Sequence, residues 1–175
     1  MVEGIKIKKR IEQYLIGHVC DIGCGESSIS ESAFGIDGRD FPCVSFKTDG
    51  LYGLKSKLEA AGHPTEFDCL FSSHCAEHLP DMYRTIDEWS DLVKSGGYFI
   101  LYLPQSGSYN NYENPEHFHD TEYRSFLFWI TQAFCGAAKN YKGEKYAPAK
   151  IEIVESGLDI EENQHYSFFI VAKKI

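Results

Sequence analysis

The sequence predicts an α/β fold on a mainly parallel sheet. Three observations predict it. Short β-rich runs alternate with helical ones along the 175 residues. Residues 67–72 form an almost continuous apolar run, as expected of a strand covered on both faces. The first strand ends in Gly23-Cys24-Gly25, a turn that opens a crevice at a strand tip.

The elements follow in order. Residues 2–15 carry Ile5, Ile11, Tyr14 and Leu15 between charges and read as an amphipathic lead-in helix. Residues 18–22 form the first strand, and only a brief helix fits into 26–32. Residues 33–37 and 43–48 are the second and third strands. A helix over 52–61 is stopped by Gly62-His63-Pro64. After the strand at 67–72, a helix over 82–93 puts Ile86, Trp89, Leu92 and Val93 on one side, and Gly96-Gly97 ends it. Residues 98–103 are a fifth strand, closed by Pro104. The polar stretch 104–120 reads as a binding loop or lid. Residues 121–135 form an aromatic-rich helix with Thr121 as N-cap, and Phe126, Phe128 and Trp129 read as core. Strands at 151–155 and 166–172 close the chain, giving seven strands in one domain over 1–175.

Composition narrows the function. The net charge of −9 argues against nucleic acid, whose binding draws on Lys and Arg to neutralise phosphates. The basic run Lys6, Lys8, Lys9 and Arg10 reads as one solvated helix face. No apolar run is long enough to span a bilayer, and the first 17 residues lack the apolar stretch of a secretory leader. The six cysteines form no Cys-x-x-Cys pair and read as reduced thiols. Together these predict a cytoplasmic protein with a small-molecule substrate; the oligomeric state is not readable.

The glycine turn is flanked by acids. Asp21 precedes it, and Asp37 ends the next strand, where a carboxylate can accept hydrogen bonds from both hydroxyls of a ribose. A nicotinamide dinucleotide is disfavoured. Its fingerprint wants a third small residue, usually glycine, where Ser28 stands, and an acid about 20 residues on. Asp21 would also oppose a pyrophosphate, whereas its charge suits an ammonium and a sulfonium.

These motifs resemble those of the class I S-adenosylmethionine-dependent methyltransferases, type 11 subfamily. Cys20-Asp21-Ile22-Gly23-Cys24-Gly25 is similar to their first motif, Phe34-Gly35-Ile36-Asp37 to the second and Lys47-Thr48-Asp49-Gly50-Leu51 to the third. Residues 67–79 resemble the fourth-strand motif, and Val93-Lys94-Ser95-Gly96-Gly97 with the strand after it resembles the fifth. The resemblance implies a Rossmann-like three-layer sandwich with an antiparallel last strand. It implies cofactor contacts at Asp21, Gly23, Cys24 and Gly25 for the methionine end, Asp37 for the ribose and Asp49 for the adenine, with Gly50 beside it and with Gly38 standing where the family more often has an apolar residue against the adenine. Ser72, Ser73 and His74 would face the sulfonium. Ser27 stands where the family has its third glycine.

For chemistry on the acceptor, His74 follows the fourth strand and is a candidate base. His117, with His119, lies in the polar loop and is a second candidate, while Tyr109, Tyr112 and Tyr123 are candidate walls. His74-Cys75-Ala76-Glu77-His78 also fits the H-x-x-E-H pattern of some zinc peptidases. That chemistry needs one helix and a distant third ligand. The segment instead follows a strand, so no metal is expected, and Glu77 and Asp81 read as solvated acids. Two other readings stay open: a degenerate methyltransferase fold acting as a binding module, and a nicotinamide oxidoreductase.

Overall fold

The computed structural model describes residues 3–108, 114–161 and 164–175. Tyr109 and Tyr112 lie outside the described residues. The seven strands are β1 (Val19–Ile22), β2 (Phe34–Asp37), β3 (Val44–Lys47), β4 (Phe67–Ser73), β5 (Val93–Pro104), β6 (Ile151–Glu161) and β7 (Gln164–Lys174). They form one sheet in the order β3-β2-β1-β4-β5-β7-β6. All neighbours are parallel except the pairs made by β7, which runs against both β5 and β6. The mainly parallel sheet and its antiparallel last strand are as the sequence predicts.

Helices cover both faces. On one side lies α1 (Glu3–Ile11), extended by a 3-10 turn over Glu12–Tyr14. Ile7 and Ile11 pack there on Phe71, Ile100 and Phe169. On the other side lie α2 (Leu54–Ala60), α3 (Met82–Ser90) and α4 (Tyr123–Phe134). They bury Leu58, Trp89, Ile130 and Phe134 against Leu70, Phe99, Leu101 and Phe168. In β5, Phe99 and Leu101 face one cluster while Ile100 and Tyr102 face the other, the period-two alternation of a strand covered twice.

Several elements differ from expectation. α3 ends at Ser90 rather than 93, and Gly96-Gly97 lie inside β5, which begins at Val93, instead of ending the helix. No helix forms over 26–32; that stretch is turns and bends. Its serines favour local turns over helix, and Asp21 holds it in place by accepting the Ile29 N–H and the Ser28 hydroxyl. The N-cap of α4 is Glu122, whose carboxylate accepts the Arg124 and Ser125 N–H groups. Thr121 is buried, and its hydroxyl donates to the Pro104 carbonyl instead. Phe128 is 69% exposed, so only part of the α4 aromatic set is core. The closing strands are also longer than expected, 11 residues each, because they extend into polar and charged residues beyond their apolar centres.

Register fixes the strand tips. Ile22 lies opposite Ile36 in β2 and Ser72 in β4, so β1, β2 and β4 end level with one another. Their carboxyl ends open together on one edge, where open α/β sheets bind ligands.

Candidate cofactor cleft

Beyond β1 the chain turns at once. Gly23 has φ +73 and Gly25 φ +57, both in the left-handed region where glycine carries no steric penalty. The Gly23 and Cys24 N–H groups both donate to the Ile36 carbonyl, which folds the turn over the tip of β2. A Cβ on Gly23 would lie 2.5 Å from Cys75 Sγ, so the glycine admits the segment after β4. A Cβ on Gly25 would meet nothing within 4 Å.

A cleft of about 570 Å³ lies over these tips. Gly23, Asp37, Arg39, Leu51, His74 and Cys75 line its sheet side, and His78, Leu79, Glu116 and Phe118 its other side. That volume is within the usual range for a small-molecule site.

The expected cofactor residues take different places around it. Asp37 stands at the cleft, 8% exposed. Its Oδ2 accepts the Gly25 N–H at 2.9 Å and its Oδ1 the Arg39 N–H at 2.9 Å. Asp21 lies beneath, 2% exposed, with Oδ2 taking both loop bonds. Burial pushes its pKa up to about 6, partly offset by the Ile29 and Ser28 donors. Cys24 is turned inward, its sulfur 4.0 Å from that of Cys43. Ser72 donates to the Ile22 carbonyl and clamps β4 to β1. Ser73 points the other way, toward α1. Asp49 is exposed and is not among the residues lining the cleft, nor are Gly38 and Gly50. The Gly50 carbonyl instead accepts Thr48 Oγ1 and Lys57 Nζ. Leu51 supplies that wall, held by Trp89 Nε1 donating to its carbonyl at 3.0 Å.

His74 lines the cleft with φ +45, the one positive φ outside glycine among the described residues. Its Nε2 pairs with Ser167 Oγ at 2.9 Å, and its ring stacks near Tyr166. Burial, with His117 and Lys6 adding to it, pulls its pKa down to about 3. It is therefore neutral and a weak base, suited to orienting more than to taking protons. His117 is also shifted downward, by burial and by His78.

Glu77 is the largest departure from the sequence reading. It is fully buried, not solvated, and neither carboxylate oxygen has a hydrogen-bond partner. Burial pushes its pKa up to about 8. The segment around it is a 3-10 turn (Ala76–His78), not the helix that a zinc-peptidase motif requires. Even so, Glu77, His78 and His117 bring one donor atom each to within 4.8 Å of one another. Asp81 is a solvated acid as expected, and it caps α3 through the Arg84 N–H.

Arg39, Glu77 and Phe118 were missed by sequence reasoning. No local signal marks Arg39 or Phe118, whose places depend on tertiary folding. Glu77 carried a signal in its position between two histidines, masked by the assumption that only a helix could assemble them.

Known proteins confirm the class of this fold. Residues 20–101 match the family model described as a methyltransferase domain. The chain is 28% identical over 94 residues to the ubiquinone biosynthesis O-methyltransferase of Klebsiella pneumoniae subsp. pneumoniae, 45% of this chain and 39% of that protein. It thus spans about two-fifths of the length of that curated relative. In fold it is similar to an S-adenosylmethionine-dependent methyltransferase from Archaeoglobus fulgidus, with TM-score 0.61 and 20% identity, covering 96% of this chain and 93% of that one. It is also similar to the Burkholderia thailandensis 1,6-didemethyltoxoflavin-N1-methyltransferase, solved with S-adenosylhomocysteine, with TM-score 0.61 and 12% identity over 99% and 78% of the two chains. Residues 20–101 thus carry the pattern of a methyltransferase domain, and the chain has the fold of S-adenosylmethionine-dependent methyltransferases. The residues present fit that cofactor: a carboxylate at the β2 tip, an open glycine turn beside it and an apolar wall at Leu51.

Proposed function

We propose that the chain is one methyltransferase domain over residues 1–175 that binds S-adenosylmethionine in this cleft and methylates a small hydroxylated acceptor in the cytoplasm. The observation that carries the reading is the shared placement of Gly23, Asp37 and His74 on one cleft at the level tips of β1, β2 and β4. In this reading Asp37 accepts from the ribose hydroxyls, Leu51 packs on the adenine, and the turn at Gly23 and Gly25 cradles the methionine end. Asp21 acts by holding the loop 24–33 in shape rather than by direct contact, given its burial.

S-adenosylmethionine supplies an activated methyl group, so the protein's share is alignment and exclusion of water. His74 orients the acceptor side. A second hollow of about 300 Å³, lined by Met82, Tyr83, His119 and Asp120, meets the cleft at Phe118 and offers a place for the acceptor. Its size favours a metabolite, such as a sugar, over a polymer. The partial relation to an O-methyltransferase supports a hydroxyl as the methylated group. Six free cysteines support a reducing compartment, and none of the helices among the described residues is long and apolar enough to cross a membrane.

One observation favours a second reading. The turn is followed by no helix, and Ser27 replaces the third glycine, as in a fold kept for contact rather than catalysis. The same missing helix removes the N-terminus that would hold a pyrophosphate, which weighs against a nicotinamide cofactor. Incubation with methyl-labelled S-adenosylmethionine and a panel of sugars and phenols separates the readings. Label on a small hydroxyl compound is the expected result; label only on tRNA, or on nothing despite cofactor binding, defeats it.

A further inference from the structure

We propose that Glu77, His78 and His117 form a binding site for a divalent transition-metal ion at the inner wall of the cleft. Three observations converge on it. Glu77 is fully buried with neither carboxylate oxygen hydrogen-bonded and, among the described residues, only the His74 and His78 rings within ion-pair range of Oε1, a state that burial makes costly unless a cation or donor meets the group. Its Oε1 lies 3.8 Å from His78 Nε2, and one donor atom from each of Glu77, His78 and His117 falls within 4.8 Å of the others. A tetrahedral ion with bonds of about 2.1 Å separates its donors by about 3.4 Å, so side-chain shifts of under about 1 Å would seat it.

The surroundings suit coordination. His78 Nδ1 pairs with the Glu116 carbonyl at 3.1 Å. A proton on that nitrogen leaves the Nε2 lone pair facing Glu77, the arrangement in which a ligating histidine is held from behind. The backbone joins the two halves of the site: the Glu77 carbonyl accepts the N–H groups of Phe118 at 2.9 Å and His119 at 3.2 Å. The loop that brings His117 is thereby fastened to the turn that brings Glu77 and His78. Two imidazoles and one carboxylate select zinc, cobalt, iron or manganese over calcium, and three protein ligands leave positions open for water or a ligand oxygen. His78 lines the cleft, so an open position there is reachable from it. The site stands on its own geometry and does not depend on which reaction the cleft performs.

Cobalt(II) is the test, added to full-length protein previously stripped with a chelator. The expected result is one equivalent bound, with visible ligand-field bands and no thiolate-to-cobalt charge-transfer band, since no cysteine takes part. Zinc should displace it. Glu77→Gln and His117→Ala should each weaken cobalt binding at least tenfold, and cobalt should raise the melting temperature of the parent but not of His117→Ala. His117 lies in a loop, so this variant decides the matter if Glu77→Gln fails to fold. No saturable uptake, a thiolate band, or binding undiminished in His117→Ala would overturn the proposal.

Discussion

Asp37 Oδ2 accepts the Gly25 N–H at 2.9 Å, so the tip of β2 holds the glycine turn that follows β1. The same carboxylate faces the cleft and is the proposed ribose acceptor. Asp37→Ala therefore removes two contributions together. A hydrogen bond to a charged group contributes about 1.5–3 kcal/mol, which predicts S-adenosylhomocysteine binding weaker by roughly 10- to 100-fold. Asp37→Asn, which keeps one acceptor oxygen, should fall between the two. Calorimetric titration of the three proteins measures this.

Gly23 is fixed by crowding as well as by φ. An alanine there would carry its Cβ to 2.5 Å from Cys75 Sγ at φ +73. The left-handed conformation alone costs a residue with a Cβ about 1–2 kcal/mol, and the clash adds to it. Gly23→Ala should lower unfolding stability by at least about 2 kcal/mol in urea. Cys75→Ala placed in that background should relieve only part of the clash, since the Cβ of residue 75 would still lie 2.7 Å away, and none of the backbone share. Full recovery would show that φ is not a constraint.

Asp21 predicts a pH dependence with a definite sign. Its pKa in the fold is raised to about 6, against about 3.9 when unfolded. Between these values the folded state holds the proton and the unfolded state does not. The stability Asp21 contributes is therefore greatest at low pH, is lost as pH rises from about 4 to 6, and stays lost above. The shift corresponds to at most about 3 kcal/mol. The stability difference between the parent and Asp21→Asn should change across this window and flatten above it. A flat difference throughout would show that the loop donors at Ser28 and Ile29 cancel the effect of burial.

The start of α4 separates sequence reading from structure. Glu122, not Thr121, accepts the first free N–H groups of the helix. Glu122→Ala should cost about 1 kcal/mol, while Glu122→Asp or Glu122→Ser should retain most of the cap. Thermal unfolding of these variants checks the assignment.

Much of the scaffold was legible because it is written locally. Apolar runs of strand length, the glycine pair and the acid ending β2 each act through the residues beside them, and the sheet order follows the family resemblance. What could not be read depends on distant partners. Serines 27, 28 and 30 do not announce that Asp21 will hold their loop out of helix. Asp49 carries the motif of an adenine contact, yet the structure leaves it exposed and puts Leu51, anchored by Trp89, on the cleft wall. Glu77 shows the limit most clearly: an acid beside a histidine is ordinarily solvated, yet here it is buried, and the distant loop at 117–119 returns to bond its carbonyl. Within the cleft, the left-handed backbone of His74 had no signature either, since it arises where the chain leaves β4 under the glycine turn.

The central claim is that the tips of β1, β2 and β4 form a cradle for an adenosyl sulfonium rather than for a dinucleotide. Calorimetric titration of the full chain with S-adenosylhomocysteine, and separately with NAD, tests it most directly. The account predicts saturable binding of the former at one equivalent and no measurable heat from the latter. Binding of NAD with no response to S-adenosylhomocysteine would contradict it.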